Sequence, residues 1–155
     1  MKVIQGNIWD YHREYTVGGI HPYVPYDYIV IPTNGVVKPN GENVMGAGLA
    51  KQVRERYPDR AWHLGDLIKE RGNNVYFFGV NLISFPVKHH WKKNADLELI
   101  EKSAKQLSEL VIGSVSRTYL PKVGCGNGKL NWEDVEPILD KYLNNSDNFI
   151  VVDFK

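Results

Sequence analysis

"YIVIPT", residues Tyr28 to Thr33, is an unbroken apolar run rather than an alternation of apolar and polar residues. A strand with one wet face alternates, whereas a continuous run marks a strand buried on both faces, as in a parallel sheet with helices above and below. The flanking segments agree. "KVIQG" (Lys2–Gly6) reads as a short edge-like strand, and residues 9–27, rich in Tyr, Gly and Pro without a period, as a loop. After a polar, glycine-bearing loop, "MGAGLAKQVRERYPD" turns helical and stops at Pro58. "DRAWHLGDLIKERGNN" is a second helix ended by Gly72, and two strands, "NVYFFG" and "LISFPV", follow around Asn81. In "NADLELIEKSAKQLSELV", Asn94 is placed to cap, and Leu97, Ile100, Ala104, Leu107 and Val111 recur at helical spacing. "RTYLP" is a short strand. "NWEDVEPILDKYL" is a helix capped by Asn131 that buries Val135, Ile138, Leu139 and Tyr142, and "FIVVDF" closes the chain as a strand. Strands alternating with helices predict an α/β sandwich with a mostly parallel sheet, whose ligands sit outside the carboxyl ends of the strands.

At 155 residues the chain is expected to form one domain over residues 1–155 with a proper core. A composition of 43% hydrophobic and 24% charged residues, with net charge +1, gives no electrostatic case for a general nucleic-acid or membrane binder. The single Cys125 excludes an internal disulfide framework and leaves no cysteine cluster for a metal. With no apolar leader region and no long apolar run, the expectation is a soluble, cytoplasmic, monomeric protein without metal or cofactor. The 4 Trp and 9 Tyr supply flat rings that pack cores but also stack on bases.

Two loops carry the chemistry. One runs from Asn34 through "GVVKPNGENVMGAG"; the other is "GCGNGK", with Gly124, Gly126 and Gly128 at alternate positions around Cys125. Each passes from a strand to a helix N-terminus, where free N–H groups and the helix dipole favour an anion. Tight turns made for packing explain either loop alone; together at one sheet edge they favour a phosphate. Neither is a familiar nucleotide loop. In a P-loop, G-x-x-x-x-G-K precedes Ser or Thr, but Gly124 to Gly128 is one residue short and Leu130 follows Lys129. The dinucleotide fingerprint G-x-G-x-x-G fails too, at Lys129 counted from Gly124 and at Lys51 counted from Gly46.

Taken together, "DYIVIPTNG", "VMGAGLAKQVRERYP", "FPVKHHW" and "LPKVGCGNGKLNWEDVEPIL" resemble a macrodomain, over a span from Lys2 to Phe154. The resemblance is to the branch holding terminal ADP-ribose glycohydrolases, antitoxin macrodomains that strip ADP-ribose from DNA, and ADP-ribose 1″-phosphate phosphatases. It implies a three-layer α/β/α fold with a mixed, mostly parallel, roughly six-stranded sheet, and ADP-ribose in a cleft over the two loops. By the same resemblance Asn34 reaches the distal ribose, its amide offering the donor and acceptor that suit a diol. Gly46, Ala47, Gly48 and Leu49 lie beside that ribose and the phosphates. Gly124, Cys125, Gly126, Asn127 and Gly128 hold the diphosphate through backbone N–H groups, with Cys125 as a small side chain between glycines.

This chain departs from the family pattern in three places. Asn7 follows Gly6 where many members have the aspartate that accepts from the adenine amino group; its amide oxygen can accept, and Ile8 can offer its N–H. Arg54 stands where glycohydrolases of the branch carry a lysine able to link covalently to the opened ribose, with Lys51 one turn earlier. Gly128 stands at their aspartate. Arginine forms no Schiff base.

The remaining candidates are peripheral. His89 and His90, in "KHHW" after a strand, suit a general acid or a rim hydrogen-bonder better than a metal pair. Trp91 and Lys88 are placed to shape the distal-ribose mouth, Lys129 to neutralise phosphate, and Phe154 or the backbone at Asp153 to lie under adenine. Cys125, with no histidine near it in sequence, is a poor nucleophile. The implied function is an ADP-ribose-recognising hydrolase, either an ADP-ribose 1″-phosphate phosphatase or a glycohydrolase acting on ADP-ribosylated protein or DNA. Its attacking water would be held between Asn34 and the substrate phosphate. The alternative is a module that only binds ADP-ribose.

Overall fold

A computed structural model of the chain describes residues 1–12, 27–144 and 146–154. Its strands are β1 (Lys2–Gln5), β2 (Tyr28–Asn34), β3 (Tyr76–Phe77), β4 (Leu82–Lys88), β5 (Thr118–Leu120) and β6 (Phe149–Asp153). Its helices are α1 (Gly48–Arg56), α2 (Asp59–Arg71), α3 (Leu97–Leu110) and α4 (Trp132–Leu143), with a 3₁₀ turn at Ile8–Tyr11. The strands form one six-stranded sheet in the order β1-β6-β5-β2-β4-β3. Only β3 is antiparallel, pairing with β4. This is the mixed, mostly parallel α/β architecture expected from the unbroken apolar runs.

The reason is visible in β2. Successive strand side chains point to opposite faces, so Ile29 and Ile31 enter one core and Val30 the other. On the first face Leu82, Tyr119 and Val152 join them, covered by Val53 of α1 and Leu64 and Ile68 of α2. On the second, Ile83, Phe85, Leu120 and Val151 pack under Ile100 and Leu107 of α3 and Val135 and Leu139 of α4. Each such buried side chain contributes about 1.5–3 kcal/mol.

Local details differ from the sequence reading where a neighbour outweighs the pattern. Asp96, not Asn94, caps α3, its carboxylate accepting from Glu98 N–H at 2.9 Å. That start turns Leu97 outward, at 36% exposure, and buries Leu99 instead. In α4, Leu143 completes the buried stripe, while Ile138 and Tyr142 are half-buried flanks. Asn131 precedes α4 without a side-chain capping bond. The loop expected over residues 9–27 begins with the 3₁₀ turn, capped by Asn7 Oδ1 accepting from Trp9 N–H at 3.0 Å; residues 13–26 lie outside those described. No helix among the described residues is long and apolar enough to cross a membrane.

Candidate functional site

Parallel register brings the carboxyl ends of β2 and β4 side by side, with Asn34 opposite Lys88 across a bulge at Thr33/Asn34. From β2 the chain enters a first loop (residues 35–47) that ends at α1; from β5 it enters a second (residues 121–131) that ends at α4. Between them, over the ends of β2, β4 and β5, lies a cleft of about 580 Å³. Gly46, Ala47, Gly48 and Leu49 form one wall, and Gly124, Gly126, Asn127 and Gly128 the other. Lys88, Trp91 and Lys122 also line it, and none of the described lining residues is a carboxylate.

The walls present backbone donors. Ala47 precedes α1 without a side-chain cap, so the first-turn N–H groups of Gly48, Leu49 and Ala50 have no partner among the described residues. In the second loop, Lys129 N–H bonds Gly126 O and Leu130 N–H bonds Gly124 O, both at 3.0 Å, which closes a tight turn. The N–H groups of Gly126, Asn127 and Gly128 have no partner among the described residues. The first turn of α4 carries Glu133 and Asp134 and does not line the cleft. On this side, therefore, the loop amides replace the helix terminus expected to favour an anion.

The three glycines of the second loop have different causes. Gly124 sits at φ +75°, and a Cβ there would meet Ile100 Cδ1 at 2.8 Å. At Gly128 a Cβ would overlap the Gly124 carbonyl and lie 2.7 Å from Ala95 Cβ, so no aspartate fits this position. Folding alone accounts for both. Gly126 and, in the first loop, Gly46 have ordinary φ values and open space where a Cβ would stand. Nothing within the protein demands glycine there, whereas close approach of a ligand to the backbone would.

Asn34 lines the cleft, but its amide already serves the first loop: Nδ2 donates to Val44 O at 2.8 Å and Oδ1 accepts from Val36 N–H at 3.0 Å. Asn43, fully buried and not anticipated from sequence, donates to the carbonyls of Asn34 and Val36 at 3.0 and 2.9 Å. Trp62 Nε1 donates to Asn40 O at 3.0 Å, tying the loop down on α2.

Arg54 is not in the cleft; its Nε donates to Glu42 Oε2 at 3.1 Å. Lys51 is also outside, on the surface of α1 beside Glu55. Lys88 does line the cleft, and its Nζ donates to Asn127 O at 3.3 Å and Trp91 O at 3.4 Å. Lys122 lines the cleft as well, paired with Asp153 at 3.1 Å. Lys88 and Trp91, expected to shape the distal-ribose mouth, both line the cleft, while nothing in the sequence reading points to Lys122.

Several expected residues do not line the cleft. His89 Nε2 lies 3.2 Å from Asp96 Oδ2, and His90 Nδ1 accepts from Lys92 N–H at 3.1 Å. Asn7 caps the 3₁₀ turn, and Ile8 is buried at its start. Phe154 projects beyond β6 at 77% exposure. Cys125 is half-buried against the α3/α4 core, and burial pushes its thiol pKa up, away from nucleophilic use.

The Glu42–Arg54 pair tests how the first loop is held. The Arg54 hydrogen bond, followed by that of Asn40, pulls the Glu42 carboxyl below its ordinary value of 4.5. A lowered folded pKa adds stability above the unfolded value and loses it as pH falls through the folded value. Arg54 is half-exposed, so Arg54→Ala is expected to cost about 1 kcal/mol, or about 2–4 °C in Tm, at pH 7. In thermal melts the deficit should shrink below about pH 4; a deficit constant from pH 7 to pH 3 would exclude the ion pair as its cause.

No family model matches the chain. It is 32% identical over 111 residues to the DNA ADP-ribosyl glycohydrolase of Mycobacterium tuberculosis, a match covering 63% of this chain and 31% of that protein. It is 30% identical over 123 residues to the enzyme of that name from Thermus aquaticus, covering 67% of this chain and 32% of that one. The chain thus spans about a third of the length of the curated relatives it matches. Among solved structures it resembles the macrodomain of Mycobacterium tuberculosis DarG, with TM-score 0.68 and 26% identity over 85% of this chain and 90% of that one. It also resembles Thermosipho africanus DarTG in complex with ADP-ribose, with TM-score 0.66 and 26% identity over 83% of this chain and 38% of that one. Sheet order, paired loops and sequence likeness converge, and the chain belongs with the macrodomains, near the DarG branch.

Proposed function

We propose that this domain binds ADP-ribose and hydrolyses its glycosidic bond to a modified DNA base. Among the described residues, amides without a partner on two facing walls, with two lysines and no carboxylate beside them, suit a sugar-linked diphosphate. Each amide–phosphate bond is charge-assisted and contributes about 1.5–3 kcal/mol. The DNA linkage is supported by the names of the relatives from Mycobacterium tuberculosis and Thermus aquaticus.

The observation that carries the reading is the position of Lys88. Its Nζ is held at the end of β4 by the carbonyls of Asn127 and Trp91, within the cleft. As the glycosidic C–N bond breaks, the lysine nitrogen gives a proton to the departing base nitrogen, and the freed electron pair forms a bond to C1″ of the distal ribose. The departing base nitrogen takes the bonding electrons and that proton. The ring oxygen then leaves C1″ and takes a further proton from the lysine nitrogen, giving an open-chain Schiff base on Lys88. Water adds to C1″, expels the Lys88 amine and the ring recloses, so the net reaction consumes one water and yields ADP-ribose and the unmodified base. Asn34, engaged with Val36 and Val44, holds the wall in shape rather than an attacking water. With Gly128 closed to any side chain, no aspartate assists from the second loop.

The test is calorimetry with ADP-ribose followed by turnover of ADP-ribosylated DNA, ADP-ribosylated protein and ADP-ribose 1″-phosphate. Binding with release of ADP-ribose from the DNA substrate is expected. Binding without turnover of any of the three would make the domain a reader; turnover of the 1″-phosphate alone would make it a phosphatase.

A further inference from the structure

Beside the cleft mouth the segment Lys88–Lys93, "KHHWKK", concentrates three lysines and two histidines in a chain of net charge +1. Trp91 lines the cleft and is 46% exposed, so part of its indole stands open beside the mouth. The His90 ring stacks beside it, centroids 5.5 Å apart, and Lys92 Nζ lies 5.2 Å from the ring centroid. Lys92 and Lys93 are exposed. The Trp91 carbonyl holds the amine of Lys88, so this rim is joined to the reacting group.

We propose that the rim is a platform for single-stranded nucleic acid flanking the modified nucleotide: a neighbouring base stacks on Trp91 while Lys92 and Lys93 contact its phosphates. This rests on the DNA glycohydrolase reading above and adds what selects the macromolecule. An exposed indole bordered by flexible cations is the combination that grips single strands without reading sequence. An acidic peptide would use the lysines but would leave the indole uncovered.

The test compares an ADP-ribosylated mononucleoside, a single-stranded ADP-ribosylated decamer and an ADP-ribosylated acidic peptide. Wild-type kcat/KM for the decamer should exceed that for the mononucleoside by about 10-fold or more at low salt, the yield of one stacked base and two phosphate contacts. Trp91→Ala should remove most of that ratio. Lys92→Ala and Lys93→Ala should leave mononucleoside turnover unchanged, and each should flatten the log–log salt dependence for the decamer by about 0.7. Equal kcat/KM for mononucleoside and decamer, or an equal gain with the peptide, overturns the platform and leaves the hydrolase reading standing. Should no substrate be cut, the hydrolase reading fails, and anisotropy of the labelled decamer decides the platform separately. In that assay, binding tighter than ADP-ribose and weakened by Trp91→Ala supports it; affinity equal to that of ADP-ribose overturns it.

Discussion

Lys88→Ala is expected to lower kcat for ADP-ribose release by on the order of 10³-fold while leaving ADP-ribose affinity within a few-fold. The asymmetry follows from the geometry: the amine lies at the end of β4, held by the carbonyls of Asn127 and Trp91, whereas the diphosphate donors are backbone amides that the substitution does not touch. Lys88→Arg keeps the positive charge and donors for both carbonyls but forms no Schiff base, so it should be as inactive as the alanine variant. Quenching wild-type turnover with borohydride should reduce the ring-opened intermediate and leave ADP-ribose covalently on the Lys88 peptide, read by mass spectrometry. A Lys88→Ala enzyme within tenfold of wild-type, with no adduct in the wild-type quench, would return the mechanism to an activated water.

The second large effect separates two glycines two residues apart. Gly126→Val is expected to fold with an almost unchanged Tm, because its φ is ordinary and no atom lies within 4 Å of the added Cβ. It should still abolish ligand binding, since the branched side chain occupies space at the cleft wall that the diphosphate needs. Losing two amide–phosphate bonds is about 3–6 kcal/mol, at least about 100-fold in Kd. Gly128→Ala should behave in the opposite way. Its methyl would overlap the Gly124 carbonyl and crowd Ala95, which costs about 1–3 kcal/mol and several degrees in Tm. Calorimetry with ADP-ribose alongside thermal melts reads both. Full-strength binding by Gly126→Val would remove the second loop from the ligand site.

Much of this molecule is written locally. The apolar runs of β2 and β4 predict strands covered on both faces, and Gly72 and Pro58 mark helix ends without reference to anything distant. The two glycine-bearing loops were also legible, because costly backbone freedom between a strand and a helix needs a reason. Their spacing did not separate the glycines: in the second loop Gly124 and Gly128 answer to Ile100 and Ala95 of a distant segment, which leaves Gly126, like Gly46 of the first loop, to a ligand. The cap of α3 was missed by two residues because Asn94 and Asp96 are equally good caps in isolation.

Residue pattern therefore sufficed for the layers, the buried faces and the two loops that hold the cleft, since each depends on the period and polarity of neighbours in the chain. The sequence placed Lys88 only at the mouth of the cleft; that its amine, and not a group on α1, stands where the reaction needs it was a tertiary decision. Counting along the first loop points to Arg54, yet folding pairs Arg54 with Glu42, and the β2–β4 register sets Lys88 opposite Asn34, 54 positions away in the chain. Pairing register is chosen by cores on both faces of the sheet at once, and a strand's own sequence carries only its half of that choice.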